Sequence, residues 1–581
     1  MGFWDTVSKV AAEVASAISE QGFKDMERKG LMSREDLAQY KELNTEFKRI
    51  KDAHNEYVTR ENEKEKKIKK VNSNTKTMTI DGKVTINAKN GSTGIYSSGG
   101  TITSTSGNKL NITVDNSATK IKKGLGVYAE NGSNVNLTGA NIGVIKGEAG
   151  VAAYGAGTQL NLTDSTLKYD GDGYAVYSDG NGKINLTNSN IELRGSSTLM
   201  DIDLSLPASS RPITTTNTNV KVYSNDVVAM NATNLGTANI TDLSGIKTKL
   251  GVNITAGTEG GKTFNKYKEL AIDGGTINFN TAVDKTEGDN TAGGFFFKKI
   301  LGQRLKLNVN SNVTARLSSA IAEEFYNKQV VGLEANSSIK ATDNSDTQVN
   351  IAAGKTIDVA RTDGTDKGGV GVFVNYGQVN NKGTISVEKD STANSNAVGV
   401  YAVNGSEVTN EGTVDVGGKD SIGLLGLAYR TDTSGKEFGG KAKEGEIEVT
   451  NKGVVSLDGE GATGIFIKNN NSTATNATAK GTNDTAGKIK LTGNKSVGMS
   501  GEKATLTNTG TIDIKGQEST GMFAKSSSKM INKGTINLIA STSADKPNIG
   551  MFTEDENTEI ENNKDIIGGN NTYGIFGKTI T

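Results

Sequence analysis

A chain of 581 residues is too long for one globular core, so it must hold several domains or one repeating architecture. Its 72 Gly, 3 Pro and 5% aromatic residues describe short strands and tight turns. The 65 basic and 65 acidic residues cancel, leaving no net field to draw nucleic acid, and a chain with no cysteine and one histidine, His54, cannot build disulfides, thiolate metal sites or histidine triads.

Residues 1–74 follow a helical grammar. Phe3, Val7, Val10, Val14 and Ile18 recur at steps of three and four, as on an amphipathic helix. Ser33 and Asp36 make a near capping box for a second helix, in which Tyr40, Leu43, Phe47, Ile50, His54 and Tyr57 form a seam. A helical hairpin or a coiled coil is expected, with His54 a packing residue. Asp5, Lys9 and Glu13 interrupt the apolar region that a secretory signal needs, and no apolar run approaches the roughly 20 residues that cross a bilayer. No membrane-spanning segment and no nucleic-acid partner are expected.

From residue 75 the vocabulary turns to Thr, Asn, Gly and β-branched residues, and it repeats. The phrases at Leu110 (LNIT), Val135 (VNLT), Leu160 (LNLT) and Ile184 (INLT) are spaced by 25, 25 and 24 residues. Relatives of the phrase recur at Val252, Ile277, Leu307 and Val349 with wider gaps. Further on, an Asn-Gly phrase begins at Asn381, Asn410, Asn451, Asn508 and Asn532, alternating with a Gly-apolar-aromatic phrase at Gly371, Gly399, Gly464, Gly521, Gly550 and Gly574.

Alternation within these phrases places Ile385 and Val387 on one side of a strand and Thr384 and Ser386 on the other. One such turn of chain cannot bury its apolar side alone. Stacked on copies of itself about 4.8 Å apart, it satisfies its backbone and lines identical side chains into ladders. The expected fold is therefore all-β, a parallel β-helix of about twenty coils over residues 75–581, with a short α-helical N-terminal region. Ile385, Val414, Ile512 and Ile536 should form an inward column, and Phe373, Tyr401, Phe466, Phe523, Phe552 and Phe576 an aromatic one. Asparagines at the corners can bond along the stack and tolerate left-handed geometry, and Gly383, Gly412, Gly510 and Gly534 should sit where a side chain would obstruct the turn. A propeller is disfavoured, because its blades use longer repeats and close after a few copies.

Chemistry-bearing residues are sparse. In YDGDGY, Asp170 and Asp172 lie together in a turn and could hold calcium, though the spacing matches no calcium-binding loop and a plain turn is the simpler expectation. The repeat loosens between about residues 195 and 350, where Pro207, Pro212 and the helix-like stretch from Ala315 interrupt it. Insertions on a rigid scaffold are favoured places for binding, so Phe295, Phe296 and Phe297 become candidate binding residues, either buried or an exposed anchor. The stretches 429–443 and 469–485 read as polar loops.

The alternation of NKGTISV with GVGVYAVNGSEVTNEGTVDV resembles the passenger region of large Gram-negative autotransporter adhesins, especially the fusobacterial kind. The resemblance covers residues 75–581. It implies a right-handed parallel β-helix displayed at the cell surface or secreted. It also implies a non-catalytic role without cofactors, attachment of cells to a host-cell or bacterial surface protein or glycan. The sequence departs from that pattern in showing neither a signal peptide nor a C-terminal barrel. The alternatives are a carbohydrate-active β-helix of the tail-spike or polysaccharide-lyase kind, expected to carry a groove of carboxylates and aromatic platforms, and a fragment that is not exported.

Overall fold

A computed structural model describes residues 76–577, apart from 105–109, 119–123, 240–250, 266, 287–299, 318–330, 337–342, 362–367, 389–395, 429–445 and 471–477. The described strands all belong to one unit, Thr77–Thr581. The helical reading of residues 1–74 falls outside them.

Three strands make one coil. Asn134–Thr138, Asn141–Ile145 and Ala149–Tyr154 lie on successive faces, and the chain then returns to the first face with Gln159–Thr163. Each strand pairs in parallel with its counterpart one coil away, so Val135, Leu160 and Ile184 are register partners on the first face. Each face carries seventeen strands among the described residues, in chain order but in separate sheets: the first face is interrupted between Ile213–Thr216 and Thr237–Asn239, and the second between Val252–Ala256 and Val283–Thr286. The molecule is thus a parallel β-helix, with a stack on the order of 80 Å long at the usual strand spacing.

Period-2 alternation drives the packing. Ile385, Val414, Val455, Ile489, Ile512 and Ile536 are successive partners on the second face and are all fully buried. Together with the inward residues of the other two faces they form one continuous core. Each such side chain contributes about 1.5–3 kcal/mol by leaving water.

The even spacing of the four phrases does not put them all on one face. Leu110 belongs to the second face, where its partner is Val84, and the first-face partner of Val135 is Ile102. The phrase apolar-Asn-apolar-Thr suits any strand with one side inward, so it does not distinguish faces. Val252 is likewise on the second face, paired with Thr218, whereas Ile277, Leu307 and Val349 do stack on the first.

The looser middle remains a solenoid. Strands Lys268–Phe279 and Ile300–Val309 each run from the third face onto the first through a bend. Gly274 and Gly275 take φ of 94° and 124° there, and Arg304 takes φ of 50°. The Arg304 guanidinium donates to Asp273 across the bend at 2.6 Å. Pro207 precedes a 3-10 turn, Ala208–Ser210, and Pro212 precedes the strand Ile213–Thr216. The helix-like stretch begins in a strand, since Val313–Leu317 pairs with Ile357–Arg361. Part of the supposed loop 469–485 is also strand, Thr478–Asn483, with Ala479 and Asn483 buried.

Candidate binding faces

Because inward positions are filled by the core, any recognition must use the outward residues of the three faces or the corners. On the first face the outward position is an amide row. Asn278 Nδ2 donates to Asn239 Oδ1 (2.9 Å), Asn308 to Asn278 (2.8 Å), Asn350 to Asn308 (2.9 Å) and Asn380 to Asn350 (2.9 Å). A shorter row joins Asn136, Asn161 and Asn185, at 2.6 Å per step. Asn308 and Asn380 each retain a second donor hydrogen beyond these bonds, while Asn350 also donates to Gln348 at 3.4 Å.

Around Asn308, Asn350 and Asn380 this row lies in a groove of about 460 Å³. Asn310, Thr409 and the Lys382–Glu411 ion pair, 3.6 Å apart, also line it. Amides suit a ligand rich in hydroxyl or peptide groups. The sequence reading missed this row, although the alternate-position Asn in INFN, LNVN and VNIA carried the signal.

The third face presents aromatic residues. Phe373 and Tyr401 meet edge to face at 5.4 Å, and Phe523, Phe552 and Phe576 follow one another at 5.5 and 5.7 Å. The expected aromatic column exists, but Leu425 and Ser500 stand on either side of Phe466 within it. Near the N-terminal end the outward residues are instead tyrosines and carboxylates. Tyr96 and Tyr128 stack at 5.7 Å, and both hydroxyls donate to Glu130, at 2.5 and 2.9 Å. Tyr177 donates to Asp179 at 3.4 Å. Partial burial, then the charges of Asp179 and Asp201, push the Tyr177 phenol up to about 12.

The turn containing Asp170 and Asp172 is built around Tyr169. That ring is fully buried, its hydroxyl donates to the carbonyls of Gly147 and Glu148 at 2.8 and 3.2 Å, and the Gly173 amide donates to it at 3.1 Å. Burial raises the Tyr169 phenol well above its ordinary value. Asp170 is half-buried and Asp172 exposed, and the register partner of Asp170 on the next coil is the cation Arg194. Among the described residues no group of three or more carboxylates or histidines is gathered as metal ligands. Phe295, Phe296 and Phe297 lie outside the described residues.

The stacked three-face geometry defines the class, a parallel β-helix. Residues 395–564 match the model of the BigA third pectate lyase-like domain, so this stretch is similar to that domain. No curated protein and no solved structure matches the chain. No described helix is long and apolar enough to cross a membrane, which says nothing of strands that cross as a barrel.

Proposed function

We propose that the chain is a non-catalytic adhesin of the cell exterior, which attaches cells to a host-cell or bacterial surface by weak contacts repeated along a rigid β-helix. The observation that carries this reading is the first-face groove, where amides at Asn308, Asn350 and Asn380 are held one coil apart by their own hydrogen bonds. Its one carboxylate, Glu411, is paired with Lys382, whereas hydrolysis by paired acids needs two carboxyl groups roughly 5–9 Å apart. Similarity to the BigA domain supports a surface β-helix of this kind.

The test is adhesion of beads coated with the full chain to host cells and to other bacteria, beside beads coated with an Asn308→Ala/Asn350→Ala variant whose fold is verified by circular dichroism. Wild-type beads should attach, and the variant should lose about tenfold in affinity, as expected when several hydrogen bonds are removed. Attachment no better than that of an uncoated bead defeats the adhesin reading. Release of new sugar ends from a polysaccharide panel defeats its non-catalytic part.

A further inference from the structure

We propose that the outward side of the third face between Ile95 and Asp203 is a second docking surface, for a lysine- and arginine-rich protein segment. It is remote in sequence from the groove and independent of it. Four tyrosines alternate there with acids: Tyr96, Tyr128, Ala152 and Tyr177 form one outward column, and Ser98, Glu130, Tyr154 and Asp179 the next. Tyr96 and Tyr177 are 47% and 38% exposed. Asp201 adds a carboxylate on the following coil, close to both Tyr174 and Tyr177.

Charge selects the occupant. Several acids elsewhere on the outside of this molecule have a cation beside them: Glu192 has Lys168, Glu411 has Lys382, Glu460 has Lys495, Glu502 has Lys468 and Glu518 has Lys546. Glu130, Asp179 and Asp201 have no ion-pair partner among the described residues. Their neighbours are tyrosine hydroxyls, which fix the carboxylates without neutralising them.

Geometry narrows the partner further. Tyr96 and Tyr128 lie within 20° of parallel and spend ring faces on each other, so a sugar ring has no free platform between them. What faces outward is a row of carboxylates held by tyrosine hydroxyls, and tyrosine is among the residues enriched at protein interfaces. Such a row attracts ammonium and guanidinium groups and repels polyanions such as nucleic acids or acidic polysaccharides.

Binding of the full chain to poly-lysine, poly-glutamate and dextran tests this, using Glu130→Gln/Asp179→Asn/Asp201→Asn and a control with equal charge loss elsewhere, Asp164→Asn/Asp226→Asn/Asp458→Asn. All three control acids are exposed, and both variants keep the size of the groups they replace while exchanging one carboxylate oxygen for an amide NH2. Poly-lysine should bind the wild type and the control alike and the first variant about tenfold more weakly, with a loss of affinity in salt. A Tyr96→Ala/Tyr177→Ala variant with an unchanged melting curve should also bind more weakly. Equal losses in the two acid variants, tyrosine variants that bind poly-lysine as wild type does, or dextran binding as tight as poly-lysine would overturn the proposal.

Discussion

The corner between the first and second faces is built in two ways in one molecule. In the N-terminal coils a residue of positive φ makes the bend: Gly139 at 65°, Asp164 at 47°, Asn188 at 51° and Asn217 at 50°. The next residue is small and buried, and where it is Ser165, Ser189 or Thr218 its hydroxyl bonds back to carbonyls, as Ser189 does to Thr187 at 3.0 Å and Leu162 at 3.3 Å. In the C-terminal coils an Asn closes the strand instead and takes no left-handed backbone. Asn381, Asn410, Asn451, Asn483, Asn508, Asn532 and Asn562 pass one amide hydrogen bond each to the next, at 2.7–2.8 Å. A glycine two residues on, such as Gly383, donates its N–H back to the Asn side-chain Oδ1.

The difference teaches what a solenoid corner requires. A bend leaves backbone groups without ladder partners, and buried polar groups must be satisfied. A left-handed residue followed by a hydroxyl meets this need within one coil. The buried Asn meets it between coils, so its failure should spread to neighbours. Asn451→Ala is therefore expected to cost most, about 3 kcal/mol in urea unfolding of the full chain, since the buried donor Asn410 Nδ2 and the half-buried Gly453 amide lose their acceptor. A loss below about 1 kcal/mol would mean that the ladder ornaments the corner without holding it.

The glycines of the second device come next. A Cβ on Gly412 would stand 2.0 Å from the Gly383 carbonyl oxygen, and one on Gly534 2.1 Å from that of Gly510. These positions have no positive φ, so close approach of the preceding coil, and no demand for left-handed backbone, excludes a side chain. Gly412→Ala should cost about 2 kcal/mol, the range of an overpacked core, in the same unfolding measurement. Ser189→Ala should cost only about 1 kcal/mol, because the carbonyls it caps belong to strands and Ala140 already occupies the matching place in a nearby coil. If the serine variant proves the worse of the two, the ranking of the corners is reversed.

Much of this was legible in the sequence because stacking copies each local choice. The inward column through Ile385 and Ile512, the along-stack bonding of the asparagines and the obstructed glycines follow from repeated phrases. Both properties expected of corner asparagines occur, on different residues: Asn381 and its column bond along the stack, and Asn188 and Asn217 take the left-handed backbone. Asn483 was hidden because its glycine, Gly487, comes four residues later, so the stretch looked like loop. The amide groove was harder still to see. Outward residues face solvent, carry no burial pattern and acquire a role only when coils far apart in sequence, such as those of Asn308 and Asn350, are brought side by side.

The smallest expected effect is the sharpest test of the first device. Gly139 lies in the column of Asp164, Asn188 and Asn217, since the strands that follow them pair in register. Its φ of 65° is shared, within about 20°, by three residues that carry side chains. Asn and Asp tolerate left-handed backbone better than other non-glycine residues, whereas a β-branched residue there costs on the order of 1–2 kcal/mol. Gly139→Asn should therefore change the unfolding free energy by no more than about 0.5 kcal/mol, while Gly139→Val should lose more than about 1 kcal/mol. The same Asn placed at Gly412, where the neighbouring coil leaves no room for a Cβ, should be as damaging as Ala, and equal tolerance at both sites would show that one mechanism serves both corners.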